Sequence, residues 1–219
     1  MDEIDVVLPC LDEAAALPGV LSALPAGYRA VVVDNGSTDG SPEIARQHGA
    51  LVVAEPRRGY GAAVHTGIVS SRSAVVCVLD ADGSLDPGEL PPLVDLVRRG
   101  AADLVVGRRV PSEPAAWPRH ARWGNAALAS LVRRRGLDVR DIGPMRVGHR
   151  ARLLELGMTD RAFGYPLELL LRAARAGWRV QEIDVTYRPR AAGTKSKVSG
   201  TIRGTLRAVR DMTAAMSRV

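Results

Sequence analysis

The sequence predicts a single α/β domain: a mostly parallel central sheet with helices on both faces. Three observations predict it. Through the first 107 residues, short apolar runs alternate with segments of helical period, the order that builds parallel sheets with right-handed crossovers. The runs are continuously apolar, as in strands covered on both faces, rather than alternating apolar and polar. Two of them, Ala30–Asp34 and Ala74–Asp80, end abruptly in acids. Acids so placed lie at the carboxyl edge of the sheet, where open α/β folds bind ligands. With 219 residues, 46% hydrophobic and 25% charged, the chain builds one good core and not a second full domain.

The elements follow in order. Asp5–Leu8 is a strand. Asp12–Leu24 is helical, with Leu17, Val20, Leu21 and Leu24 on one face. Ala30–Asp34 is the second strand, and Ser37–His48 a helix with Ser37 or Thr38 as its cap. Leu51–Ala54 is a strand, Gly61–Ser71 a helix and Ala74–Asp80 a strand. Pro87–Arg99 is a helix with Pro at its start, and Asp103–Gly107 a strand. The second half is less regular. Trp117–Arg135 reads as a helix after a Pro-rich loop, Asp141–Val147 as irregular or a short strand, Tyr165–Ala176 as a helix and Arg179–Tyr187 as a strand. Arg188–Gly200 is a basic loop. Thr201–Met216 is a helix with an apolar stripe of Ile202, Leu206, Val209, Met212 and Met216, flanked by Arg203, Arg207, Arg210 and Arg218.

The formal net charge is +6, with the arginines concentrated after Arg108, a balance that favours anionic partners. Cys10 and Cys77 sit in or at the end of apolar strands, so buried thiols in a reducing compartment are expected rather than a disulfide. The acidic start, MDEIDVVLP, is not that of a secretory signal. No stretch reaches the ~18 apolar residues of a membrane span. The four histidines have no metal-ligand spacing, and Arg133–Arg135 is a solvated helix face.

Asp80-Ala81-Asp82-Gly83 carries the chemistry. Two carboxylates one residue apart repel unless a cation or donor compensates. Mg²⁺ suits such a pair, since it takes one or two protein carboxylates and completes its sphere with phosphate and water. The alternative is two acids in the turn before the helix that Asp86-Pro87 starts.

Several separated motifs then agree. Leu8-Pro9-Cys10-Leu11-Asp12-Glu13, Val32-Val33-Asp34-Asn35-Gly36-Ser37-Thr38-Asp39-Gly40, Arg58-Gly59-Tyr60-Gly61-Ala62-Ala63 and the D-x-D segment come first. Asp141-Ile142-Gly143-Pro144-Met145-Arg146, Gly164-Tyr165-Pro166-Leu167-Glu168 and Tyr187-Arg188-Pro189-Arg190 with Gly193-Thr194-Lys195-Ser196-Lys197 follow. In this order they resemble the family 2 glycosyltransferases of the GT-A fold, and within them the dolichol-phosphate mannose synthase and polyprenyl-phosphate glycosyltransferase branch. Asp12 stands where that family usually has Asn, and Gly83-Ser84 follow the D-x-D.

The resemblance implies one domain over residues 1–219. About 1–107 form the nucleotide-sugar half, about 108–200 the acceptor half with a basic lid, and 201–219 an amphipathic helix. The implied donor is a GDP- or UDP-hexose. Pro9, Leu11, Glu13 and Asp34 would line its base pocket with Gly36, and Asp34 alternatively caps the following helix. Arg58, Gly59 and Gly61 would meet the phosphates at a helix start. Asp80, Ala81 and Asp82 would contact donor and metal, with Asp82 as direct ligand of Mg²⁺ or Mn²⁺ and Asp80 as a second ligand or a contact to the ribose or a metal-bound water. Arg188, Arg190, Lys195 and Lys197 would close over the diphosphate, or else form a solvated loop.

The implied acceptor is a polyprenyl phosphate or a small hydroxyl compound. An anionic phosphate needs a positive charge to position it, for which Arg146 is the candidate. A hydroxyl needs a base, for which Glu168 comes first and Asp141 second; an acid in a first helical turn is also favourable for the helix alone. The implied reaction is an inverting transfer of hexose by direct displacement. The expected location is cytoplasmic, and peripheral contact of the last helix with the inner membrane face is the alternative. A sugar-phosphate nucleotidyltransferase is a second reading, although Pro9-Cys10-Leu11-Asp12-Glu13 stands where that class has a Gly-rich basic loop. A basic nucleic-acid-binding module is a third. It leaves the D-x-D acids unexplained, and no nucleic-acid partner is expected.

Overall fold

Val6, Val7 and Leu8 are fully buried in β1 (Ile4–Cys10), and successive side chains point to opposite faces. Val6 and Leu8 join Val32, Cys77 and Val105 on one side of the sheet, while Val7 joins Val31, Val33, Val76, Val78 and Val106 on the other. The uninterrupted apolar runs thus feed two cores. A computed structural model describes residues 3–191 and residue 211 of the chain.

The remaining strands are β2 (Tyr28–Asp34), β3 (Leu51–Ala54), β4 (Val75–Val78), β5 (Leu104–Pro111), β6 (Met145–His149) and β7 (Val180–Tyr187). Together with β1 they form one sheet in the order β3-β2-β1-β4-β6-β5-β7. All pairings are parallel except those of β6, which runs antiparallel between β4 and β5.

On one face lie α1 (Leu17–Ser22), α2 (Ser41–Gln47) and α4 (Leu90–Arg98), with Leu17, Ala45, Leu90, Leu93 and Val97 in the first core. On the other lie α3 (Tyr60–Ser70), α5 (Arg119–Arg133), α6 (Arg150–Glu155) and α7 (Tyr165–Arg175). Helix α3 sits hard against β1, where a Cβ on Gly67 would fall 2.2 Å from Val7 Cγ1.

Several elements differ from expectation. The first helix starts at Leu17 rather than Asp12, because Asp12 is left-handed (φ 52°) and its carboxylate accepts from the Thr38 amide. Helix α2 starts at Ser41 after left-handed Gly40, without the expected Ser37 or Thr38 cap. Ser37 Oγ instead accepts from the Asp12 amide. Helix α5 starts after Pro118, two residues late. Strand β5 runs on to Pro111 because it pairs with β7 in register from Leu104–Val180 to Pro111–Tyr187. Helix α6 was not anticipated. The helix expected at Thr201–Met216, and the Lys195 and Lys197 end of the basic loop, lie outside the described residues.

Candidate active site

Strands β1, β2 and β3 end level with one another, Cys10 opposite Asp34 and Asp34 opposite Ala54. Pro9, Leu11, Glu13 and Asp34 therefore share one stretch of the sheet's carboxyl edge. Their loops are tied together: Glu13 N donates to Ser41 Oγ, and Ala14 N to Asp39 Oδ2, both at 2.9 Å. Asp34 shapes its own turn by accepting from the Gly36 and Ser37 amides at 3.3 and 3.0 Å. Gly36 (φ 88°) is the residue that leaves room there, since a Cβ would fall 3.1 Å from Arg58 Cζ. Asn35 is a member the sequence reading passed over. Its amide nitrogen donates to the Glu55 and Arg57 carbonyls, and its oxygen accepts from Gly59 N.

Gly59 and Gly61 have a different use from the phosphate contact expected. Gly61 N donates to the Ala162 carbonyl at 3.0 Å, and Ala62 N to the Arg161 carbonyl at 2.8 Å. A Cβ on Gly59 would fall 2.1 Å from Arg161 O, and one on Gly61 2.7 Å from Tyr165 Cβ. Two of the amides at the α3 start, those of Gly61 and Ala62, of the kind a phosphate would use, are taken by the chain's own backbone.

Glu168 holds that backbone in place. It is fully buried, and its carboxylate accepts from the Thr159 amide and hydroxyl, the Asp160 amide at 2.7 Å and Arg172 Nε at 2.7 Å. Burial pushes this acid up, but these donors outweigh it and hold it below its ordinary value. Asp141, the second candidate base, is equally occupied. Its oxygens accept from Arg109 N, Nε and Nη2 and from Gly143 N. A base needs an oxygen facing the acceptor, and the structure engages both oxygens of each acid.

The D-x-D segment follows β4. Asp82 is buried and accepts from Ser84 N at 3.0 Å and from Arg190 Nε. Asp80 Oδ1 accepts from the Tyr60 hydroxyl at 3.2 Å, and that oxygen in turn accepts from Arg146 Nη1 at 3.3 Å. Burial first, and then the neighbouring Asp82, raise the Asp80 acid above the ordinary carboxylate range. Arg146, Arg190 and Arg109 oppose this but do not cancel it. Arg146 stands on β6 opposite Val78 and Val106. The antiparallel insertion of β6 is thus what carries Arg146 to the end of β4.

Arg109, which the sequence reading did not single out, is the hub of a second cluster. Its guanidinium forks onto Asp141, donates to Asn125 Oδ1 at 3.2 Å and lies 3.9 Å from the Trp117 ring centroid and 5.5 Å from that of Tyr187.

Beyond β7 the chain runs back beside the D-x-D loop. Leu85 bridges Tyr187, Arg188 N donates to Ser84 O at 2.8 Å and Ala191 N to Asp82 O at 3.1 Å. Arg188 Nη2 pairs with Asp86 Oδ2 at 2.9 Å. Arg188 and Arg190, the two arginines of the expected basic loop, therefore sit on carboxylates.

The donor set suits a hard divalent ion that brings phosphate ligands with it. Among the described residues no cluster of three His, Cys, Asp or Glu could hold a metal unaided. Beside these two carboxylates, Ser84 Oγ and Arg146 Nε are buried without hydrogen-bond partners.

The sheet order, with one antiparallel strand beside paired carboxylates at the carboxyl edge, is the GT-A architecture of nucleotide-sugar-dependent glycosyltransferases. Residues 5–155 match the glycosyl transferase family 2 profile, and the chain belongs to that family. It is 55% identical over 217 residues to an uncharacterized glycosyltransferase of Mycobacterium tuberculosis, covering 99% of both chains. It is 35% identical over 199 residues to the dolichyl-phosphate hexose transferase of Haloferax volcanii, covering 89% of this chain and 86% of that one. Glucosyl-3-phosphoglycerate synthase from Mycobacterium tuberculosis, solved with Mn²⁺, UDP and glucosyl-3-phosphoglycerate, shares the fold. The TM-score is 0.76 over 98% of this chain and 78% of that one, with 21% identity.

Proposed function

We propose that this glycosyltransferase moves a hexose from a GDP- or UDP-hexose to a polyprenyl phosphate, with inversion at the sugar carbon. The observation that carries the acceptor class is the engagement of both candidate bases, Glu168 and Asp141. A hydroxyl acceptor must lose a proton to a base. A phosphate monoester arrives already anionic and needs only positive charge to place it. Arg146, buried behind the Tyr60 hydroxyl at the end of β4, is the candidate source of that charge, and the dolichyl-phosphate activity named for the Haloferax relative is of the same kind.

In this reading Pro9, Leu11, Glu13, Asp34 and Gly36 border the base and ribose, with Arg58 packed over the Gly36 turn. Asp80 and Asp82 would hold a Mg²⁺ or Mn²⁺ ion, which would supply positive charge to the departing diphosphate. Arg190 pairs with Asp82 and Arg188 with Asp86 a few residues on, and in this reading both reach that diphosphate. The acceptor oxygen forms a bond to C1 as the C1–O bond to the diphosphate breaks. The nucleoside diphosphate leaves, and no proton changes hands.

Contact with a membrane surface fits this acceptor, and helix α5 is suited to it. Its inner face buries Asn125, Ala129 and Val132, while Trp123 projects outward at 77% exposure beside exposed Arg119 and Arg122. No helix among the described residues is long and apolar enough to cross a bilayer.

The test supplies labelled GDP-mannose and UDP-glucose with Mn²⁺ to the full chain, together with a polyprenyl phosphate or a soluble hydroxyl acceptor such as 3-phosphoglycerate. Label moving into the organic phase supports the reading. Transfer only to the soluble compound overturns it in favour of a small hydroxyl acceptor.

A further inference from the structure

We propose that Arg190 is the resident counter-ion of the D-x-D pair, a cation that a divalent metal must displace from Asp82 before the donor site is complete. The inference rests on the donor-site reading above and adds a role for one residue.

Among the described residues, three arginines oppose the charge of the two acids, and they are held very differently. Arg146 belongs to the middle of the sheet, is 4% exposed and reaches Asp80 only through the Tyr60 hydroxyl. Arg109 is forked onto Asp141 and clasped by Trp117 and Tyr187. Neither can leave without undoing a buried network. Of these three, only Arg190 pairs directly with a D-x-D carboxylate, through Asp82 Oδ2. It stands past the end of β7, its side chain is 31% exposed, and two backbone hydrogen bonds, Arg188 N to Ser84 O and Ala191 N to Asp82 O, hold its segment in place. The side chain can therefore swing away while the backbone beside it stays paired.

Arg190 and a metal compete for the same atom. Mg²⁺ sits about 2.1 Å from a ligating oxygen. A guanidinium hydrogen-bonded to that oxygen would lie against the ion, and two cations at such a distance repel strongly where little water screens them. Each therefore excludes the other from Oδ2. Once displaced, the guanidinium remains tethered beside the place where the diphosphate meets the metal, and a phosphate is the anion it recognises best. One residue thus opposes metal binding when the site is empty and favours nucleotide binding when the site is filled.

This predicts effects of opposite sign from one substitution. Binding of Mn²⁺ alone to the full chain is read by electron paramagnetic resonance of the free ion. Binding of GDP and UDP at saturating Mn²⁺ is read by calorimetry. Arg190→Gln should bind Mn²⁺ alone about three- to tenfold more tightly than wild type, the scale of losing one partly exposed competing ion pair. It should bind the nucleoside diphosphate with Mn²⁺ more weakly by a similar factor, and Arg190→Lys should fall between. A matching denaturation midpoint for wild type and Arg190→Gln establishes that both are folded. Mn²⁺ binding that is unchanged or weaker in Arg190→Gln, with Mn²⁺-dependent nucleotide binding present in wild type, overturns the counter-ion role alone. Absence of Mn²⁺-dependent nucleotide binding in wild type overturns the donor site and this inference with it.

Discussion

Arg146 and Asp80 are joined through a single hydroxyl: Arg146 Nη1 donates to the Tyr60 oxygen at 3.3 Å, and that hydroxyl donates to Asp80 Oδ1 at 3.2 Å. The arginine favours the charged carboxylate without touching it, and the carboxylate keeps its second oxygen for other partners. Tyr60 opens α3, and the α3 start is fixed by the Arg161 and Ala162 carbonyls that Glu168 holds through Thr159 and Asp160. The position of the D-x-D pair therefore depends on a residue in α7.

We predict that Tyr60→Phe weakens Mn²⁺ binding about three- to tenfold. It removes one hydrogen bond to a charged group, worth on the order of 1 kcal/mol net, and leaves the ring packing in place. Titration of Mn²⁺ in the presence of GDP or UDP reads this directly. Equal affinity in the two proteins would mean that the hydroxyl does not orient Asp80.

Glu168→Gln separates a positioning residue from a base. As a positioning residue, Glu168 loses its ion pair with Arg172 and its strongest hold on the 159–160 amides. Disrupting a buried charge pair of this kind costs about 3 kcal/mol, which a urea titration would show as a clearly lower midpoint. Turnover per folded molecule should fall chiefly through poorer metal and donor binding. A variant as stable as wild type, binding donor normally yet inactive, would restore the base.

Asp103 gives the fold a dependence on acid. It is buried between β5 and the start of β7, where the Arg179 side chain and amide and the Arg152 guanidinium hold it far below the ordinary carboxylate range. A group whose acidity is increased on folding stabilises the protein above its unfolded pKa, near 4, and loses that contribution as pH falls toward the folded value. Both arginines are substantially exposed, so solvent screening limits the contribution to about 1 kcal/mol. Asp103→Asn should therefore be less stable than wild type at pH 7, and the gap should narrow between pH 4 and pH 2. A gap that stays constant with pH would assign the effect to packing rather than charge.

The sheet was legible because its signal is local. An apolar run ending in an acid marks both a buried strand and its carboxyl edge, and Asp34, Asp80 and Asp82 all lie where that logic places them. Strand β6 was only partly legible: Asp141–Val147 reads as irregular or a short strand, and pairing with both β4 and β5 is what fixes a strand at Met145–His149. The use of each acid was equally hidden. Nothing in the sequence near Glu168 shows that Thr159, Asp160 and Arg172 will converge on it, since only the i, i+4 spacing to Arg172 is visible. The Gly59 and Gly61 pattern was recognisable as close approach, but the sequence does not show that the approaching group is residues 161–162. Arg109 had one available signal, a charged residue two positions past the expected end of a buried strand, and Asn35 another, a polar residue directly after Asp34.

The remaining prediction concerns the outer face of α5. Trp123 is the most exposed large apolar side chain among the described residues, at 77%. Isolated exposed apolar residues are ordinary, but this one is flanked on the helix by Arg119, His120 and Arg122, all exposed. A Trp among basic residues suits the interface of an anionic bilayer, where the indole enters the headgroup layer and the guanidinium groups meet lipid phosphates. Asn125 on the opposite face accepts from Arg109, so the same helix links this surface to the Arg109–Asp141 cluster. Trp123→Ala should leave stability within about 0.5 kcal/mol, as expected at an exposed site, and reduce co-sedimentation with phosphatidylglycerol vesicles severalfold at low salt. A chain truncated before Thr201, with Trp123 intact, tests the last segment separately. If the truncation abolishes binding while Trp123→Ala sediments like wild type, membrane contact belongs to the last segment and not to α5. If wild type itself stays in the supernatant, the α5 surface has no membrane role.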